Sequence, residues 1–199
     1  MSKENILYVV IALLAGILGT VLVLGVVNKD RAPAPVGGGV PMGTGSPTDY
    51  KARIAEAEKI VAADPKNYQV WVQLGNDYFD TDQAQNAVNA YGKALELEPG
   101  NPNTSNILTD QGVMYRKMGL FDKAIANFDK AAKLDPKHGQ SLYNMGVVYA
   151  NDLKQPAKAI EVWERYVKMD PLSPQGQQVK AMIEELKRGG GQPQGGSWK

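Results

Sequence analysis

The sequence predicts an all-α fold, a solenoid of helix–turn–helix repeats preceded by one transmembrane helix and a flexible linker. A set of eight residue positions recurs three times with a period of about 34 residues. Within each copy the first four positions fall at offsets 0, 3, 4 and 7, which places them on one stripe of a helix. Upstream of the repeats, an uncharged apolar run is long enough to cross a membrane.

The first predicted element is a membrane-spanning helix at Ile6–Val27, a run of 22 residues without a charge. At a rise of about 1.5 Å per residue this helix would span about 33 Å, enough for the hydrocarbon core of a bilayer. A secretory signal peptide has a shorter apolar stretch of about 7–15 residues. The one cleavage-like string nearby, Ala32-Pro33-Ala34, is followed by another proline. An uncleaved anchor is therefore favoured over a cleaved signal.

The orientation of this anchor stays open on charge alone, because Lys3 lies on one side while Lys29 and Arg31 lie on the other. The short N-terminal tail favours a cytoplasmic amino terminus. We therefore expect a single-pass protein of a bacterial inner membrane, with its repeats in the periplasm rather than the cytoplasm. Small residues recur every four positions from Ala12 through Gly16, a spacing that would allow two such anchors to pair.

The rest of the chain divides by composition and periodicity. The segment after the anchor is rich in proline and glycine and cannot bury a core, so it is predicted to be a flexible linker. One-sided amphipathic helices flank the repeats and are predicted to cap the solenoid. The predicted segments are an N-terminal tail at 1–5, the transmembrane helix at 6–27, the linker at 28–49, a degenerate N-terminal repeat at 50–66, three repeats at 67–172, a C-terminal capping helix at 173–188 and a flexible tail at 189–199.

The repeated positions define the three central hairpins. In the first copy they are Trp71, Leu74, Gly75, Tyr78, Ala87, Tyr91, Ala94 and Pro99. In the second they are Leu108, Gln111, Gly112, Tyr115, Ala124, Phe128, Ala131 and Pro136. In the third they are Leu142, Met145, Gly146, Tyr149, Ala159, Trp163, Tyr166 and Pro171. A glycine in the middle of a helix costs about 1 kcal/mol relative to alanine, so we expect the second helix of each hairpin to pack against it too closely for a side chain.

Three departures from the pattern need an account. The third copy has one extra residue before Ala159, and Pro102, Asn103 and Thr104 add three residues between the first two copies. Gln111 occupies a position that is Leu or Met in the other copies. A buried amide must find hydrogen-bond partners there or cost on the order of 1–3 kcal/mol.

The chain from about Tyr50 to Leu186 resembles tetratricopeptide-repeat (TPR) proteins, particularly small membrane-anchored bacterial envelope proteins of the cytochrome c biogenesis type. The resemblance implies a role in assisting assembly of, or scaffolding, an envelope complex. In the subtype that grips acidic C-terminal tails, Asn76 matches a clamp asparagine, but Val72 stands where that subtype carries lysine. The resemblance therefore does not favour an acidic-tail ligand.

The resemblance also implies where a ligand would lie, because ligands of this family usually lie along the concave face made by the first helices. Residues three before, one after and four after each repeated glycine share a face about 120° from the core stripe. The candidate peptide-binding residues on that face are Val72, Asn76, Phe79, Thr109, Val113, Arg116, Tyr143 and Val147. Simple solvent exposure is the competing interpretation for each of them.

Composition narrows the remaining functions. The 22 basic and 21 acidic residues nearly cancel, which argues against a nucleic-acid partner. Cysteine is absent from the sequence, and the single histidine, His138, is expected to be an exposed turn residue. The sequence carries no nucleophile–base set, no phosphate-binding glycine loop and no metal-ligand cluster. We therefore expect no enzyme activity, no cofactor and no metal site.

Two hypotheses for function remain. The leading one is a membrane-anchored interaction module that binds a peptide segment of a protein partner in its concave groove and scaffolds assembly of an envelope complex. The alternative is a structural protein that self-associates into homo-oligomers through its cap helices or its groove. An acidic first repeat beside a mildly basic second one could orient a partner, although ordinary solvated helix faces also explain this pattern.

Overall fold

The computed structural model describes residues 47–189, in which the regular secondary structure is helical. The helices are α1 Pro47–Ala63, α2 Tyr68–Asp80, α3 Ala84–Leu97, α4 Thr104–Lys117, α5 Phe121–Leu134, α6 Gly139–Val147, α7 Pro156–Met169 and α8 Pro174–Gly189. None of these helices is both long and apolar enough to cross a membrane. The predicted anchor at Ile6–Val27 and nearly all of the predicted flexible tail lie outside the described residues.

Each helix packs on the next, so that α2/α3, α4/α5 and α6/α7 form three hairpins, with α1 against α2 and α8 against α7. The first helices of neighbouring hairpins also touch, α2 on α4 and α4 on α6. One apolar cluster runs from α1 to α7, and a second joins α6, α7 and α8. The predicted all-α solenoid of helical hairpins is confirmed for this part of the chain.

The first helix begins inside the segment predicted to be linker. Helix α1 starts at Pro47 rather than near Tyr50. A proline suits the first turn of a helix because its missing N–H has no intrahelical acceptor there. The helix is tied to α2 by an ion pair between Arg53 and Asp77 and by the Tyr78 hydroxyl, which donates to Glu58 at 2.5 Å.

The mid-helix glycines lie where the second helix of each hairpin comes closest. A Cβ atom built on Gly75 would lie 2.5 Å from the ring of Tyr91, and one on Gly146 would lie 2.1 Å from the indole of Trp163. At Gly112 the corresponding distance to an aromatic ring is 2.6 Å. These distances are far below van der Waals contact, so the predicted close approach is confirmed. The obstructing groups are the repeated aromatic residues of the second helices.

The extra residue of the third repeat is absorbed within the helix rather than in a loop. Helix α6 continues into a π-helical turn, Val148–Asp152, in which the N–H of Leu153 donates to the carbonyl of Val148 at 3.0 Å. A π turn holds one more residue than an α turn. The hairpin therefore keeps its packing despite the insertion, and the following turn passes through Lys154 with a φ of 55°.

The side-chain amide of Gln111, the polar residue that breaks the apolar pattern of the second repeat, is hydrogen-bonded at both its nitrogen and its oxygen. Gln111 is 6% exposed, its Nε2 donates to the carbonyl of Val88 at 2.9 Å, and its Oε1 accepts from Asn127 at 2.7 Å. Asn127 occupies the position that is Ala90 in the first repeat, so a polar pair replaces an apolar one. Of the two alternatives for this amide, hydrogen-bond partners or an energetic cost, the structure shows partners.

Candidate functional site

A cleft of about 520 Å³ lies at the C-terminal ends of the first helices. Its walls include Phe79 from α2, Val113 and Arg116 from α4, and Asp152 from the π turn that follows α6. Phe79, Val113 and Arg116 are three of the eight predicted groove residues. They come together because α2, α4 and α6 lie side by side. Phe79 is half-buried and offers a partly exposed aromatic surface at this cleft.

The charged groups at the cleft are paired with one another. The Nε of Arg116 lies 2.5 Å from one carboxylate oxygen of Asp152, and a terminal nitrogen of the guanidinium lies 3.3 Å from the other. Lys117 pairs with Asp82. Because both cations already have carboxylate partners, the cleft offers no unpaired positive charge from Arg116 or Lys117.

Three further predicted groove residues are half-buried on α2 and α6 but do not line this cleft. They are Asn76, Val72 and Val147. The side-chain oxygen of Asn76 accepts a hydrogen bond from the Tyr91 hydroxyl at 2.8 Å, which holds the amide across the first hairpin. The two valines pack against the apolar clusters.

Val113 lines the cleft although its side chain is buried, at 7% exposure. Two other predicted groove residues are buried and do not line the cleft. Thr109 is 0% exposed, and its hydroxyl donates to the carbonyl of Ser105 at 2.8 Å, one turn back in its own helix. Tyr143 is 7% exposed, with its ring centroid 6.5 Å from that of Trp163 and 6.2 Å from that of Tyr166. The position three before the glycine therefore points into the packing of the second and third hairpins, and these two residues do not line the groove.

His138 is also not the exposed turn residue that was expected. It is half-buried just before α6, with its Nε2 2.8 Å from the Oδ1 of Asn106 and its Nδ1 3.5 Å from the hydroxyl of Thr109. Burial lowers the pKa of His138, and the charge of Asp135 opposes that change. The ring thereby bridges the second and third hairpins. Within residues 47–189 no three side chains of metal-binding type come together.

The residue that sequence reasoning missed is Asp110 in α4. It is 6% exposed, and its Oδ1 is sealed from solvent without a hydrogen-bond partner. Burial raises the pKa of Asp110 to about 7, and the negative charge of Asp80 adds to the effect. The available signal was positional, since the residue two before each repeated glycine is polar in all three copies: Gln73, Asp110 and Asn144.

A second, shallower cleft of about 370 Å³ lies between α1, α2 and α3. It is lined by Trp71 and Tyr78 from α2 together with residues of the flanking helices. The indole N–H of Trp71 donates to the carbonyl of Pro65 at 2.9 Å, and burial raises the pKa of Tyr78 to about 12. The hydrogen bond from Tyr78 to Glu58 of α1 holds the N-terminal helix on the first hairpin, and none of the predicted groove residues lines this cleft.

Comparison with known proteins agrees with the repeat geometry. Two family profiles, both described as tetratricopeptide repeat, match residues 68–137 and 109–174 and together span more than half of the chain. Curated relatives at 30 to 36% identity align over 84 to 139 residues, and the chain spans less than a quarter of their length. The Photosystem I assembly protein Ycf3 of Prochlorococcus marinus is 27% identical over 124 residues, which are 56% of this chain and 72% of that protein.

Solved structures share the fold. The crystal structure of MamA aligns with a TM-score of 0.64 and 23% identity, covering 72% of this chain and 80% of that one. The first TPR domain of Spaghetti, bound to an HSP90 peptide, aligns with a TM-score of 0.54 and 17% identity, covering 63% and 96%. With the three hairpins, their close-packed glycines and the two matching profiles, the chain belongs to the tetratricopeptide-repeat proteins.

Proposed function

We propose that this protein is a membrane-anchored interaction module that binds a peptide segment of a partner protein along α2, α4 and α6 and thereby scaffolds assembly of an envelope complex. The observation that carries the peptide-binding part is the cleft at Phe79, Val113 and Arg116, which is lined by α2, α4 and the π turn that follows α6. A groove that crosses successive repeats suits an extended or helical segment rather than a compact small molecule.

Two similar proteins support this proposal. The TPR domain of Spaghetti has the same fold and holds an HSP90 peptide. Ycf3 is named as an assembly protein, and the matched region makes up 72% of its length. The HSP90 peptide SRMEEVD ends in acidic residues. In this chain the cations at the cleft are already paired, so we propose a different peptide chemistry for its partner.

The anchoring part rests on the apolar run at Ile6–Val27 and on the short tail before it. We propose a bacterial inner-membrane location with the repeats on the periplasmic side. Alkaline phosphatase fused to the carboxyl terminus tests this, because that enzyme is active only after export. An inactive fusion, with a matched cytoplasmic reporter fusion active, would place the repeats in the cytoplasm and overturn this part alone.

Site-specific crosslinking tests the groove. A photoreactive phenylalanine analogue placed at Phe79 in the full-length chain is expected to capture a discrete partner in cells. The same analogue at Leu134, which is 54% exposed on the second helix of its hairpin, is the matched control. Equal products from both positions would contradict binding in the groove, and capture of a second copy of the chain would favour self-association. Tyr143 is unsuitable for this test because its ring packs against Trp163 and Tyr166 and does not line the cleft.

A further inference from the structure

A buried carboxyl without a partner marks the junction of the first two hairpins. Asp110 keeps only 6% of its surface exposed, and its Oδ1 neither meets solvent nor accepts a hydrogen bond. No basic side chain of residues 47–189 lies within ion-pair distance of it. A buried carboxylate that lacks both a counter-charge and donors is costly, so native proteins rarely keep one without a reason.

The charge that acts on Asp110 is negative. Burial raises the pKa of Asp110, and the charge of Asp80, at the exposed end of α2, adds to the effect. Burial also raises the pKa of Tyr91, and the charges of Asp110, Asp80 and Asp77 add to it. The Tyr91 hydroxyl donates its hydrogen bond to the Oδ1 of Asn76 and so is not available to Asp110 as a donor. Asp80 accepts from the Tyr50 hydroxyl at 3.1 Å and forms no ion pair with a described cation. The junction therefore attracts a cation.

The third hairpin also has a buried polar side chain without a partner at the equivalent position, but there the unpaired atom is a donor instead of an acceptor. Asn144, two residues before Gly146 as Asp110 is two before Gly112, is 4% exposed, and its Nδ2 has no acceptor. One turn earlier, the Nε2 of Gln140 also lacks an acceptor. A free acceptor on α4 is thus followed by free amide donors on α6, along the direction in which the hairpins stack.

We propose that the bound peptide extends past the cleft and places a lysine or arginine side chain against Asp110, which lies on α4 one turn before the cleft residue Val113, while its backbone carbonyls accept from Asn144 and Gln140. This inference rests on the proposed function and specifies its ligand. An incoming ammonium or guanidinium group supplies both the donors and the counter-charge that Asp110 lacks. The amides on α6 match the carbonyl groups that any extended peptide presents.

The experiment selects peptides from a phage-displayed library of random 12-residue sequences on the full-length protein in mild detergent. Selected sequences are expected to be enriched in lysine or arginine at one position. Fluorescence anisotropy then compares a selected synthetic peptide with its basic residue→Gln version on the wild-type protein and on Asp110→Asn. Each single change is expected to weaken binding at least tenfold, and the two together are expected to cost little more than either one. The control variant, Asp122→Asn, removes an exposed carboxyl from α5 and should change affinity less than twofold.

The outcomes separate this inference from the proposed function. One outcome would overturn the basic-ligand inference and leave groove binding intact. In it, Phe79→Ala abolishes peptide binding, but the selected peptides are not enriched in basic residues and bind Asp110→Asn as well as wild type. A library from which no sequence is enriched, or peptides insensitive to both variants, would overturn both. The basic residue→Gln peptide is measured on the wild-type protein, so the result does not depend on the folding of the variant.

Discussion

Replacing Asp110 with asparagine should stabilise the protein, and by an amount that grows with pH. In the folded chain the pKa of Asp110 is about 7, against 3.8 for the free side chain, because burial penalises the carboxylate. A raised pKa in the folded state means that the folded chain holds a proton which the unfolded chain has already lost. The contribution of Asp110 to the free energy of unfolding is therefore most favourable below pH 3.8, falls as pH rises from 3.8 to about 7, and is level above that.

The magnitude follows from the difference between the two pKa values. At about 1.4 kcal/mol for each tenfold change, burying Asp110 lowers the free energy of unfolding by about 2 kcal/mol at pH 5, where the folded chain keeps the proton, and by about 4 kcal/mol at pH 8, where it is ionised. Asparagine is neutral throughout, so Asp110→Asn removes this dependence. The difference between variant and wild type should therefore increase by about 2 kcal/mol from pH 5 to pH 8.

Urea unfolding of the full-length chain in non-ionic detergent, followed by far-UV circular dichroism at several pH values, measures this difference. His138, whose pKa is lowered by burial, titrates in both proteins and cancels in the comparison. Asp122→Asn controls for the change in net charge, since that carboxyl is exposed. Parallel curves for wild type and Asp110→Asn would refute the reasoning, and a less stable variant at pH 8 would show that the carboxylate has a partner in the folded chain.

Two further predictions concern the hairpins. Lys154→Gly should raise the free energy of unfolding by about 1 kcal/mol, because its φ of 55° is strained for a residue with a side chain; the same urea titrations test this, and an unchanged midpoint would contradict it. Gln111→Leu should destabilise by about 1–3 kcal/mol, because it removes the side-chain oxygen that accepts from Asn127 and leaves that amide only its longer bond to the Leu108 carbonyl. The double variant Gln111→Leu with Asn127→Ala, which recreates the Leu74 and Ala90 pair of the first repeat, should recover most of that loss, and additive costs in a double-mutant cycle would refute the pairing.

The hairpin packing was predictable because glycine, aromatic and proline residues recur with helical offsets that few other folds impose. Gly75 and Gly112 predicted close approach, and the rings of the second helices lie there. The shape of the third hairpin was not predictable. One extra residue can either lengthen the loop or widen a helical turn, and the residue types around it do not distinguish the two. In the structure it forms the π turn at Val148–Asp152.

The groove was only partly predictable, since an angle on a helical wheel does not say which neighbouring helix covers that side. Phe79, Val113 and Arg116 follow their predicted face into one cleft. Thr109 and Tyr143 share the same nominal face but are covered by the packing of later helices. The identity of the neighbouring helix therefore decided these positions, since Val113 and Tyr143 are equally buried but only Val113 lines the cleft.

Two neighbouring residues of α4 indicate what Asp110 is for. Gln111 is buried to the same extent as Asp110, at 6% exposure, yet both ends of its amide are hydrogen-bonded within the protein. The chain can thus satisfy a buried polar group where that group serves stability alone. One residue earlier, the Oδ1 of Asp110 is left without a donor, although asparagine or leucine at that position would avoid the cost of burying a charge. A partner group that arrives from outside accounts for the difference between the two residues, and it predicts that Asp110→Asn gains stability while it loses affinity for basic peptides.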